Sequence, residues 1–144
     1  MTSVALCPTE DAVSPFAASV TVKPQPFVVS APAQGSRWVS HVAAQLASTA
    51  EPLILVLTGR TAAHAPALGF SRRSLRRPAV GYVLVDPAMP EISADYGDWP
   101  DAPVTIVMSE NAPDFAKEAA LQARLRGWTI TTDSLNDVLN QLLP

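Results

Sequence analysis

One stretch, residues 53–64, constrains the fold of this chain more than any other. It reads LILVLTGRTAAH, an apolar and β-branched run that meets a glycine and then an alanine-rich segment. An apolar run without alternation is typical of a strand buried on both faces, and the alanine-rich continuation favours a helix. The glycine between them permits a sharp turn. The stretch therefore predicts a central strand that passes directly into a helix.

The same order of strand and helix recurs along the chain. Strands are predicted at Val4–Cys7, Leu53–Thr58, Val80–Val85, Val104–Met108 and Trp128–Thr131. Helices are predicted at about 36–48, 61–75, 113–126 and 133–143, and Ser36 is the expected N-cap of the first. Strands that alternate with helices form right-handed βαβ units. We therefore expect an α/β fold, a three-layer sandwich around a mainly parallel sheet of about five or six strands.

Two N-terminal segments fit this pattern less well. Asp11–Ser19 has the spacing of one or two helical turns, weakened by Pro15. Ser19–Ser30 alternates like a strand but contains Pro24 and Pro26. Proline cannot donate a ladder hydrogen bond, so this strand is expected at a sheet edge or in two pieces.

Composition sets the class of protein and excludes several partners. The chain has 144 residues, 48% of them hydrophobic and 16% charged, as expected for one globular domain over residues 1–144. A net charge of -3 provides no positive field for nucleic acid or an anionic membrane, so neither is an expected partner. No run approaches the roughly 18–20 apolar residues of a membrane span. No basic segment precedes the N-terminal apolar residues, and a cytoplasmic location is expected.

Metal and cofactor motifs are not found in the sequence. Cys7, His41 and His64 have no ligand spacing, and neither a G-x-G-x-x-G motif nor a P-loop can be read. No metal or cofactor is therefore expected. Cys7 is predicted to be a small buried side chain rather than a catalytic thiol.

Residues 51–90 resemble the middle of an α/β-hydrolase, in which a sharp strand-to-helix turn presents the serine of a G-x-S-x-G motif. The corresponding positions here read Gly59-Arg60-Thr61-Ala62-Ala63, and GYVLVDPAMP at 81–90 is similar to the next strand of that superfamily. AALQARLRGWTI at 119–130 resembles its last helix and strand. The resemblance covers residues 20–144 and implies a small hydrolase-like sandwich.

The chain departs from the family at each catalytic position. Thr61 stands where the resemblance places the serine, and Ala112 stands where the acid is usual. The segment 131–134, which should carry the histidine, reads TTDS, and the lid region is reduced to 87–102. The resemblance therefore implies a truncated, degenerate member without the catalytic triad.

Three residues remain as candidates for chemistry. His64 follows Thr61 by three positions, so the two side chains can be neighbours on one helix face. Asp86 fits the place of an alternative family acid. The competing interpretation makes Thr61 a helix N-cap and His64 a pocket or surface residue, with His41 facing solvent. Predicted ligand contacts are the two candidates Thr61 and His64 together with Arg60, Met89 and Trp99, the last either covering the cleft or packing within its loop.

Half of the eight arginines lie within six residues, at Arg72, Arg73, Arg76 and Arg77. Such a cluster at a helix C-terminus is favoured by the macrodipole and is often a solvated face. The alternative is a docking surface for an acidic partner or for a second copy, because residues 86–118 hold eight of the thirteen acids.

These observations support three hypotheses on function. The first is a non-hydrolytic binding or accessory protein that holds a small molecule or peptide, for instance in a biosynthetic pathway. The second is an enzyme of altered chemistry, an esterase, thioesterase or isomerase, that uses Thr61 or Asp86 with His64. The third is a protein that acts through oligomerisation at an exposed sheet edge.

Overall fold

The computed structural model describes residues 1–10, 12–33 and 37–144. Its strands are β1 (Ser3–Leu6), β2 (Phe27–Val28), β3 (Leu53–Thr58), β4 (Gly81–Val85), β5 (Val104–Val107) and β6 (Thr129–Thr131). Its α-helices are α1 (Trp38–Leu46), α2 (Ala65–Ser74), α3 (Asp114–Leu125) and α4 (Leu135–Leu142). A 3₁₀ helix at Gly59–His64, here called the elbow, joins β3 to α2, and a shorter one occupies Ala94–Tyr96.

All six strands are parallel and form one sheet in the order β2-β1-β3-β4-β5-β6. The chain first adds β2 on one side of β1 and then adds the remaining strands on the other side. The sheet order therefore reverses between β1 and β3. This confirms the predicted α/β class and the predicted strand number.

The two faces of the sheet bury separate apolar cores. Leu53, Leu55 and Leu57 point to the core beneath α1, α2 and Ala123 of α3. Ile54 and Val56 point to the other core, which α4 covers. Because both faces of β3 are covered, its sequence shows no polar alternation.

The second face is completed by an irregular segment rather than a helix. Residues 15–19 form turns and not the predicted helix, while Asp11 lies outside the described residues. Val20 and Val22 nevertheless reach the core beside α4. Of the predicted proline-broken strand, only Phe27–Val28 pairs with β1, at the sheet edge. The predicted N-cap Ser36 also lies outside the described residues.

None of the helices in the described ranges is both long enough and apolar enough to cross a membrane.

Candidate functional site

A crevice lies where the sheet order reverses, at the carboxyl ends of β1 and β3. Its volume is about 250 Å³, and it is lined by Thr9, Glu10, Thr58, Gly59, Arg60 and Thr61. In open parallel sheets, ligands bind outside the carboxyl ends of the strands at this kind of reversal, because the two connecting segments diverge there. The crevice is therefore the candidate binding site.

Among the described residues, two other depressions are somewhat larger but lie elsewhere. One of about 340 Å³ is lined by both chain ends, and one of about 320 Å³ lies along 92–100. Neither is placed at the reversal of strand order. The crevice is therefore distinguished from them by its position in the fold and not by its size.

The sharp turn of the elbow is made by Gly59. This residue follows β3 directly and has a φ of 59°, a left-handed conformation that glycine adopts without steric cost. A Cβ atom placed on Gly59 would meet no heavy atom within 4 Å. The turn therefore presents no side chain at Gly59, and open space lies beside its backbone.

Thr61 lies inside the elbow and is 2% exposed. Its hydroxyl donates a hydrogen bond of 2.8 Å to the carbonyl oxygen of Thr58. The hydroxyl proton is therefore held by the backbone and not directed at His64. The interpretation of Thr61 as an N-cap is also wrong, because the residue preceding α2 at its N-cap position is His64.

His64 packs on an aromatic ring of α1. Its ring stacks on Trp38 with 5.1 Å between centroids and an interplanar angle of 29°. The Trp38 indole nitrogen donates in turn to the carbonyl oxygen of Thr9, at 3.2 Å. No hydrogen bond joins the His64 ring to any residue in the described ranges. His64 therefore supports the crevice through packing.

His41 does not face solvent as expected. It is half-buried, and its Nε2 atom is buried without a hydrogen-bond partner among the described residues.

Asp86 follows β4 directly, and both of its carboxylate oxygens accept hydrogen bonds. One oxygen accepts from the backbone N–H of Ser109 at 2.8 Å, and the other accepts from the Ser109 hydroxyl at 2.6 Å. This pair ties the carboxyl end of β4 to that of β5. Thr61, His64 and Asp86 therefore each bind a different partner and do not form a proton relay.

Arg60 lines the crevice, and the segment after β4 contacts the elbow. The Arg60 guanidinium lies over the Phe115 ring of α3, 4.6 Å from its centroid. The N–H of Ala88 donates to the Gly59 carbonyl at 2.9 Å, which holds this segment against the elbow. Met89 lies next to Ala88 and is half-buried. Arg60 therefore lines the crevice, and its ligand role, like that of Met89, stays a prediction.

Trp99 lies far from the crevice, against the amino-terminal end of β4. It is 6% exposed and packs edge-on against Tyr82 and Trp128, with centroids at 5.1 and 5.5 Å. Burial raises the pKa of the Tyr82 phenol, whose hydroxyl donates to Asp101 at 2.7 Å. The predicted ligand contact at Trp99 is wrong, and loop packing is its role.

The arginine cluster is divided by burial. Arg72 is 1% exposed and donates to the carbonyl oxygens of Leu46, Thr49 and Glu51, so it holds the end of α1 and the following loop. Its burial lowers its pKa. Arg73 forms an ion pair of 2.9 Å with Asp101. Neither residue is available as a docking contact in the way predicted.

Arg76 and Arg77 are exposed, and only they are left for a partner.

Cys7 directly follows β1 and is 1% exposed. Burial raises the pKa of its thiol to about 12, so the thiol is neutral at physiological pH. The prediction that Cys7 is a small buried side chain is confirmed. Among the described residues, no group of three or more His, Cys, Asp or Glu side chains is arranged to hold a metal.

Sequence reasoning missed Thr9, Glu10, Thr58 and Ser109. The usable signal was positional, since each follows or ends a predicted strand on the carboxyl side of the sheet. Fold and crevice define an open parallel α/β protein with a candidate site at its strand reversal. No family model matches the chain, and no curated protein or solved structure is significantly similar to it.

Proposed function

We propose that this chain is a non-hydrolytic, α/β-hydrolase-like binding or accessory protein, which holds a small molecule or a peptide end in the crevice. The observation that carries the proposal is Gly59, which forms the sharp turn and leaves open space where a nucleophile would project. A ligand can approach the backbone closely at such a glycine.

The hydrolase-like part of the proposal is supported by the order of the elements. A central buried strand turns at a left-handed residue into a helix, and Asp86 follows the next strand. These are the places of the nucleophile and of an alternative acid in the superfamily that the sequence resembles.

The alternative, an esterase, thioesterase or isomerase that uses Thr61 or Asp86 with His64, has weaker support. A general base must come within about 2.6–3.2 Å of the proton that it removes. The Thr61 proton is bound to the Thr58 carbonyl, and both Asp86 oxygens bind Ser109.

Catalysis is tested with p-nitrophenyl acetate and a fluorophosphonate probe. We expect no labelling, and the wild type should turn over the ester no faster than Thr61→Ala and His64→Ala variants. Turnover by the wild type that these variants lose would contradict the binding role and support the enzyme.

Binding is tested by NMR of the ¹⁵N-labelled protein against a library of small esters, acids and dipeptides. Ligand-induced shifts are expected at Thr9 and at residues 59–61. Gly59→Asn should weaken such a ligand at least tenfold, because the new side chain projects into the crevice.

The matched control is Gly127→Asn. Gly127 has a φ of 76° and equally open surroundings, so both variants carry the same backbone change, and asparagine tolerates it. Equal affinity in the two variants would show that the crevice is not the binding site.

A further inference from the structure

Helix α3 carries apolar residues on two opposite faces. Ala116, Ala119 and Ala123 are buried on the side of the sheet. Leu121 and Leu125, one turn apart on the outer side, are 62% and 89% exposed. Packing against the sheet explains why the alanines are apolar, but it does not explain the two leucines, which are exposed to water.

Charged residues flank the leucines on this outer face. Asp114, Lys117 and Glu118 precede Leu121, and Arg124 follows it. Glu118 and Arg124 are exposed, and neither forms an ion pair with a residue in the described ranges. Such an order of charges suits the helix macrodipole, but the macrodipole gives no reason for leucines between them.

We propose that the outer face of α3 is the contact surface for a second copy of this chain, with the two helices antiparallel and a two-fold axis at Leu121. In that arrangement each residue after Leu121 faces the residue equally far before it in the partner. Arg124 of each copy then faces Glu118 of the other, so this ion pair occurs twice, once on each side of the axis. Leu125 faces Lys117 of the second copy, whose alkyl stem covers the leucine.

The face fits a second copy because it is complementary to itself, as an isologous two-fold contact requires. The contact adds to the proposed ligand role and does not depend on it. A single helix pair buries less than the standard interface of about 1,600 Å². We therefore expect a dimer that dissociates on dilution.

The experiment measures mass by sedimentation from micromolar to millimolar protein. The wild type should shift from monomer to dimer. Glu118→Arg and Arg124→Glu should each weaken dimerisation at least tenfold, since each places like charges opposite one another. An equimolar mixture of the two variants should restore dimers. In the mixed dimer, positions 118 and 124 are both arginine in one chain and both glutamate in the other, so opposite charges face each other at both contacts.

Controls separate this contact from other ways of associating. Leu125→Lys should also give monomers, whereas Val13→Lys, at an apolar residue 60% exposed elsewhere on the surface, should leave the dimer unchanged. Circular dichroism checks that each variant is folded. A wild type that stays monomeric, or variants that do not complement each other on mixing, would overturn the proposal.

Discussion

Arg76 lies two residues after helix α2 and has a left-handed conformation, with a φ of 59°. Its N–H donates to the carbonyl of Arg73 and that of Arg77 donates to Arg72, at 2.9 and 3.0 Å. This is the Schellman arrangement, in which glycine is the usual residue at the left-handed position. A residue with a Cβ atom is strained there by roughly 1–2 kcal/mol.

Arg76→Gly should therefore raise the free energy of unfolding by about 1 kcal/mol. Urea denaturation measures the change. Arg77→Gly is the matched control, because Arg77 is also exposed but its backbone is not left-handed. It should gain nothing, and an equal gain in both variants would mean that backbone strain is not the cause.

Single residues also show where prediction from sequence fails. The four clustered arginines look equivalent in the sequence, yet Arg72 is buried and Arg77 is exposed. Arg72 is buried because the loop between α1 and β3 packs against it and its carbonyl oxygens accept hydrogen bonds from the guanidinium. A contact between segments more than twenty residues apart has no local signal.

Helix α2 contains one glycine whose small size is used in packing. A Cβ atom at Gly69 would lie 2.3 Å from the Tyr82 hydroxyl and 3.1 Å from the Trp99 ring. Tyr82 is fully buried and hydrogen-bonded to Asp101, so neither aromatic side chain has room to move away. Gly69 thus allows the loop 87–102 to pack beneath α2.

Gly69→Ala should lower the free energy of unfolding by about 2 kcal/mol through overpacking. In an exposed helix position the same change would instead stabilise by about 1 kcal/mol. Thermal unfolding decides the sign, and a second variant, Gly69→Ala with Tyr82→Phe, removes the hydroxyl that clashes. It should recover part of the loss; no recovery would contradict the assigned contact.

Element by element, most boundaries agree with the sequence prediction to within two residues. Strand β3 spans Leu53–Thr58 as predicted, because an apolar run bounded by Pro52 and Gly59 is a local signal. The sharp turn after β3 was predicted too, because Gly59 is a local signal, and this glycine does adopt a positive φ. The turn segment 15–19 was missed, because proline and tertiary packing prevailed over weak helical spacing.

At the scale of the whole molecule, two buried groups, the Cys7 thiol and the Tyr82 phenol, make the stability of the fold depend on pH in the alkaline range. Burial raises the pKa of Cys7 to about 12 and raises that of Tyr82 as well. Both groups are neutral in the folded chain and ionise more readily once unfolded. Their contribution to stability is therefore complete below the pKa of the unfolded chain and is lost as pH rises through the folded pKa.

We expect the wild type to lose stability from about pH 9 upward, where the unfolded thiol ionises before any tyrosine does. The slope should approach about 1.4 kcal/mol per pH unit. In the Cys7→Ala variant, the free energy of unfolding should stay constant up to about pH 10, where ionisation of Tyr82 in the unfolded chain begins to lower it. Urea midpoints under reducing conditions measure both slopes, and identical slopes would contradict the assignment to Cys7.

The sequence by itself determined the α/β class, the alternation of strands with helices and the central place of β3. Those features follow from apolar runs, turn residues and periodicity, which act between near neighbours along the chain. Only the tertiary structure decided the site. The Asp86–Ser109 pair, the stacking of His64 on Trp38 and the burial of Trp99 each join distant segments. The crevice itself exists because the sheet order reverses between β1 and β3, and strand order is set by packing across the whole molecule.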